Sequence, residues 1–169
     1  MISLAQLNAA SAGEFITLLG GIYEHSDWVP QGVVQQRPFS TTENLRLSMQ
    51  EAVDGAPAEM KLALIRAHPD LAGKLARAGT LTVESTREQA GLGLDRLTDA
   101  DYERFQSRNE RYRAKFGFPF IICARLTTKQ GVLDAFEKRL AHSREREIAE
   151  ALNQIHEIAR LRLADAVGQ

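Results

Sequence analysis

Apolar residues recur along most of the chain at intervals of three and four, the repeat that turns one face of a helix inward. Phe15, Leu18, Leu19 and Ile22 form the first stripe, and a loop is predicted around Trp28-Val29-Pro30-Gln31-Gly32. Leu45, Met49, Ala52 and Val53 form the second stripe. Ser40-Thr41-Thr42-Glu43 before it reads as a capping box, in which Ser40 and Glu43 satisfy first-turn amides. Asp54-Gly55 ends that helix, and Pro57 suits the first turn of the next. The stripe of that next helix is Met60, Leu64 and Ala67, and Pro69 stops it. A proline drives the preceding residue out of the helical region, so His68 is placed at a helix end.

A short helix follows, with Leu71 and Leu75 on one face and Gly79 after it. Ser85-Thr86-Arg87-Glu88 repeats the capping-box pattern and opens a helix interrupted by Gly91 and Gly93. The clearest helix starts at Thr98 or Asp99, carries Tyr102, Phe105, Asn109, Tyr112 and Phe116 on one face, and stops at Gly117. Phe118-Pro119-Phe120-Ile121-Ile122-Cys123-Ala124 has the aromatic and β-branched content of a strand, but no second strand pattern exists to pair with it. A lone strand leaves its amides unpaired, so the segment reads as buried extended chain leading into a helix. Thr127-Thr128-Lys129-Gln130 reads as a third capping box, ahead of Val132, Leu133, Phe136 and Leu140. The last helix runs from about Ser143 and carries Ile148, Leu152, Ile155, Ala159, Arg162 and Ala166. The prediction is one compact all-α domain over residues 1–169, with about eight helices and one buried extended segment near 118–124.

Composition agrees with a folded chain. Its 169 residues are 44% hydrophobic and 25% charged, close to the average soluble domain and long enough to bury a core. Lys and Arg number 21 against 22 Asp and Glu, a net charge of -1, so no basic excess invites nucleic acid. The one cysteine, Cys123, lies in an apolar run; it excludes an internal disulfide and fits a reducing compartment. Met1-Ile2-Ser3-Leu4 lacks the basic start of a signal peptide, and no stretch of about 18 apolar residues predicts a membrane span. The final Val167-Gly168-Gln169 is no peroxisomal address. A cytoplasmic location is expected.

Chemistry is sought where polar residues break the apolar pattern. His68 lies four residues after Leu64 and three after Ile65, so it is expected to face inward or into a pocket wall. It is either a packed histidine or an acid/base, since imidazole titrates near neutrality. Glu88 reads first as the reciprocal residue of a box opened by Ser85, and otherwise as a carboxylate that orients His68 or meets a polar substrate. Arg162 falls on the apolar stripe of the last helix, seven residues after Ile155. It either snorkels, pairs with a buried carboxylate, or presents a fork to a planar carboxylate, amide or ureido group. His25, His142 and His156 lack zinc-ligand spacing, one cysteine makes no thiolate site, and no glycine-rich phosphate loop is present. Arg144, Glu145, Arg146 and Glu147 read as a solvated helix face.

Three segments carry a resemblance: Ala67-His68-Pro69-Asp70-Leu71-Ala72-Gly73, Ser85-Thr86-Arg87-Glu88-Gln89-Ala90-Gly91-Leu92, and Lys115-Phe116-Gly117-Phe118-Pro119-Phe120-Ile121-Ile122-Cys123-Ala124-Arg125. Glu24-His25-Ser26-Asp27-Trp28 and Ile158-Ala159-Arg160-Leu161-Arg162-Leu163 add to it. Together, in this order and spacing, they resemble the OHCU decarboxylases (2-oxo-4-hydroxy-4-carboxy-5-ureidoimidazoline decarboxylases). Asp27 departs from the family's Ser-Pro-Trp pattern, which leaves the loop there open. The resemblance implies a cofactor-independent enzyme that takes OHCU to (S)-allantoin in urate degradation. It implies catalytic roles for His68 and Glu88, and substrate contacts from Pro69, Ser85, Gln89, Arg162 and the main chain of Phe120, Ile121 and Ile122. It also allows a homodimer, although no apolar stripe compels one. The competing expectations are a non-catalytic helical interaction module, with no polar pocket joining His68, Glu88 and Arg162, and a metal-dependent ureide hydrolase, for which no ligand set is visible.

Overall fold

Ser3 and Ser11 open the first two helices as true capping boxes, their hydroxyls accepting from the third helical amide while Gln6 and Glu14 reach back to the cap amide. The structure is a computed structural model that describes residues 1–168, apart from the side chains of Leu75 and Arg77. The expected inward placement of Leu75 therefore lies outside the described residues. Ten α-helical segments are described: α1 (Leu4–Ala9), α2 (Ala12–Leu19), α3 (Trp28–Val33), α4 (Thr42–Asp54), α5 (Ala58–Ala67), α6 (Lys74–Ala78), α7 (Val83–Gly91), α8 (Asp99–Phe116), α9 (Lys129–Arg139) and α10 (Arg144–Ala166). The expected all-α class holds. Strand among the described residues is limited to a parallel pairing of Ile2–Ser3 with Val167–Gly168, too short for any sequence periodicity to announce.

Eight of the helices are those read from the periodicity, although Leu71, expected on α6, lies in the turn before it; α1 and α3 are additional. The loop expected around Trp28 is helical because Pro30 sits in the first turn, where a missing N–H costs nothing. The real connection lies just before it, at Gly20–Asp27, where His25 turns the chain at a φ of 46°. Leu18, expected in the first stripe, is exposed. All three boxes read from the sequence are misplaced by one to three residues. Thr41, not Ser40, caps α4; Thr82, not Ser85, caps α7; and Thr128, not Thr127, caps α9. In each case the true cap hydroxyl lies three residues before the amide it accepts from, and several hydroxyl residues stand close enough to compete for the part.

The chain divides into two compact units. The first comprises residues 1–67 and 156–169. Its core holds Leu7, Phe15, Leu19, Val29, Leu45 and Met49, with Phe39 stacked on Phe15. His156 is buried there, with Nδ1 at 3.0 Å from the Tyr23 hydroxyl and Nε2 at 3.1 Å from Asp54 Oδ1. The second unit, residues 68–155, is built on aromatic rings. Tyr112 meets Phe118, Phe120 and Phe136 edge-on, and Phe120 stacks on Phe136 at 3.9 Å. Among the described residues, no helix is long and apolar enough to cross a membrane.

Candidate active site

His68 stands immediately after α5, as Pro69 requires, and is only 6% exposed. The chain then turns through Asp70, Leu71 and Ala72, which adopts a φ of 52°, a conformation uncommon outside glycine. Gly73 closes the turn at a point where a β-carbon would stand 2.9 Å from the Asp70 β-carbon, so only glycine fits without displacement.

Two helices hold this loop. From α7, Gln89 Oε1 accepts from the Ala72 N–H at 2.8 Å, and its Nε2 lies 3.4 Å from the Asp70 carbonyl. From α8, Asn109 Nδ2 donates to the Leu71 carbonyl at 2.9 Å and Gln106 Nε2 to the Ala72 carbonyl at 3.0 Å. Arg113 Nε reaches both carboxylate oxygens of Asp70, at 2.9 and 3.0 Å. Ser85 and Gln89, four residues apart on α7, are both buried. Glu88 lies one residue off that face and is half-buried. As the sixth residue of α7, Glu88 cannot be the reciprocal partner of a box opened by Ser85, because Ser85 is itself the third residue of the helix.

α7 also packs against the Ala124–Leu126 turn, directly after the run singled out in the sequence. Phe118, Phe120, Ile121 and Cys123 are buried and irregular, as expected, while Ile122 is half-buried. The ends of this run are held by side chains. Arg139 NH1 donates to the Ile121 carbonyl at 2.6 Å, and the Cys123 N–H donates to Gln154 Oε1 at 2.9 Å. Among the described residues, the N–H groups of Phe120, Ile121 and Ile122 have no hydrogen-bond partner, unusual for buried main chain. The second unit thus gathers His68, Pro69, Ser85, Glu88, Gln89 and the 120–122 run onto a connected set of elements.

Arg162 belongs to the first unit. It is 5% exposed, and its NH1 donates to Glu24 Oε2 at 2.8 Å and to the Gly21 carbonyl at 3.1 Å. The buried-carboxylate pairing weighed for it from sequence is thus present.

The solvated face expected at the start of α10 is also overturned. Glu147, read as part of a solvated face, is fully buried, while Glu145, Arg144 and Arg146 are exposed. Its carboxylate takes Arg139 Nε and NH2 at 3.0 and 2.9 Å, the Tyr112 hydroxyl, and His142 Nδ1 at 2.6 Å. Burial pushes this carboxyl up, but hydrogen bonds from Arg139 and Tyr112 outweigh it and hold Glu147 below the usual carboxylate range. Burial, then the bond to Glu147, pushes the Tyr112 phenol up. Arg139 also lies over the Phe120 ring at 4.3 Å. The missed signals were Arg139, three residues after Phe136 on the α9 stripe, and Glu147, in phase with buried Ala151 and Ile155. Asn109 was a third: a polar side chain on the aromatic stripe of α8.

The family model described as OHCU decarboxylase matches residues 8–164. The chain is 41% identical to a 2-oxo-4-hydroxy-4-carboxy-5-ureidoimidazoline decarboxylase of Haloferax volcanii, over 97% of this chain and 95% of that one. It is 38% identical to the Mus musculus protein of the same name, over 99% and 94%. A crystal structure of an (S)-allantoin synthase superposes with a TM-score of 0.78 at 35% identity, covering 98% of this chain and 54% of that chain. The chain belongs to the OHCU decarboxylase family.

Proposed function

We propose that this chain decarboxylates OHCU to (S)-allantoin in urate degradation, with His68 as the acid/base and no cofactor. The observation that carries the reading is the largely buried 120–122 run, whose three successive N–H groups lack partners among the described residues. A planar ring edged with carbonyl and amide groups supplies what such a run requires.

The chemistry follows from the substrate. The C–C bond to the carboxylate breaks and CO2 leaves; the electron pair forms a C=C bond between the two ring carbons, and the C=N pair moves onto its nitrogen, which takes a proton from solvent. The hydroxyl-bearing carbon then loses its O–H proton and becomes a carbonyl, while the ureido-bearing carbon gains a proton on one face. That carbon becomes the stereocentre of allantoin. The substrate's own imine serves as electron sink, so the protein's part is to orient, stabilise charge and deliver the proton to one face. In this reading His68 moves that proton, and Glu88 orients the imidazole or accepts from the substrate hydroxyl. Pro69, Ser85, Gln89 and the Phe120, Ile121 and Ile122 main chain contact the substrate. Gln89 also shapes the loop after His68 through both ends of its amide.

Arg162 enters on the family resemblance, as a fork for the ureido or ring carbonyl groups. Arg162→Lys is expected to raise KM with kcat little changed; loss confined to kcat would assign it another role. Cytoplasmic location and a homodimer complete the reading, and sedimentation velocity on the purified chain decides the second.

The test is stereochemical. OHCU generated fresh from urate by the two preceding enzymes is followed by circular dichroism, with and without the chain. Rapid growth of the (S)-allantoin signal supports the reading. Decay at the spontaneous rate to racemic product overturns it in favour of the interaction module.

A further inference from the structure

Three successive carbonyls after His68 are each met by a side-chain amide: Asp70 by Gln89, Leu71 by Asn109 and Ala72 by Gln106. Leu71 and Ala72 are buried, so their carbonyls need protein partners in place of water. Here they are tied to α7 and α8, and Arg113 adds a two-point ion pair to the Asp70 side chain. Asn109 is the most committed of the set. It is 2% exposed on an otherwise aromatic face, and its Oδ1 has no partner among the described residues. A buried amide that leaves one oxygen unsatisfied is costly, so the fold accepts that cost to place a donor on the Leu71 carbonyl. The strained Ala72 and the obligatory Gly73 lie inside the same staple.

We infer that Asn109 and Gln106 are positioning residues for the reaction: they fix the 70–72 loop and through it the imidazole of His68, without touching substrate. The inference rests on the reading of His68 as acid/base. Displacing a reacting group by about 1 Å costs on the order of 100-fold in rate. Asn109→Leu keeps the branched shape, with methyl groups in place of the amide oxygen and nitrogen, and removes the donor together with the orphaned oxygen, so it should fold. Gln106 is only half-buried, and Gln106→Ala provides a second variant with little core to lose.

The experiment measures kcat and KM for OHCU in Asn109→Leu and Gln106→Ala, alone and in a His68→Ala background, together with the NMR signals of the His68 ring. Expected are a fall in kcat of roughly 10- to 100-fold with KM changed by less than about threefold, shifted His68 ring signals, and no further loss when His68 is already alanine. Folded Asn109→Leu and Gln106→Ala with parental kcat, beside an inactive His68→Ala, would overturn the positioning role and leave the acid/base reading standing. An undiminished loss in the His68→Ala background would also overturn it. A His68→Ala protein with parental turnover would instead overturn the reading beneath it.

Discussion

Glu147 sits fully buried among Arg139, Tyr112 and His142, so its ionisation is coupled to folding. Its carboxyl titrates lower in the folded chain than in the unfolded one. The stabilisation is therefore complete above the unfolded value of about 4.3 and is lost as pH falls through the lower folded value. Glu147→Gln leaves the Arg139 guanidinium buried without its counter-charge, which costs about 3–5 kcal/mol. Urea unfolding at pH 7 should show that loss, and the gap to the parent should narrow on acidification below about pH 4; a gap independent of pH would mean that the charge of Glu147 is not what stabilises. At this scale the sequence was partly legible. His68 could be placed at a helix end from Pro69 alone, and Arg162 could be marked as a buried cation. The Arg139–Glu147 pair was not legible, because four alternating charges at the start of α10 look like a solvated face until the helix phase is known. The part played by Gln89, Gln106 and Asn109 was equally hidden, since amides that bond to a distant loop leave no periodic trace.

The helices are set by caps whose identity needed the structure. Thr41 accepts from the Asn44 N–H at 3.0 Å and Thr82 from the Ser85 N–H at 3.2 Å. Removing an N-cap hydroxyl costs about 1 kcal/mol, so Thr41→Ala and Thr82→Ala should each lower the unfolding free energy by that amount. Ser40→Ala, which takes away no cap, should stay within about 0.5 kcal/mol of the parent. Equal losses at Ser40 and Thr41 would contradict the capping seen here. Gly117 ends α8 at a φ of 79°, and Gly117→Ala should cost roughly 1 kcal/mol or more because a β-carbon is strained there. The long helices were readable because a dozen residues average out a wrong cap. α1 and α3, six residues each, were not. The 118–124 run was recognisable as buried extended chain by elimination: it had strand-like residues and no strand to join.

For the chain as a whole, periodicity sufficed to give the all-α class, and the near-balanced charge gives no electrostatic reason to expect nucleic acid. The pairing of Ile2–Ser3 with Val167–Gly168 joins the two ends of the sequence, a contact that no local pattern can carry. Membership of the family extends over residues 8–164 and so includes residues of both compact units. The functional account gives the acid/base role to His68, and the most direct measurement is circular dichroism of OHCU turnover by the parent and His68→Ala proteins, both shown to be folded. The parent should produce (S)-allantoin rapidly, while His68→Ala should lose about 100- to 10,000-fold in rate and leave racemic product from spontaneous decay. Stereospecific turnover at the parental rate by folded His68→Ala would contradict the account.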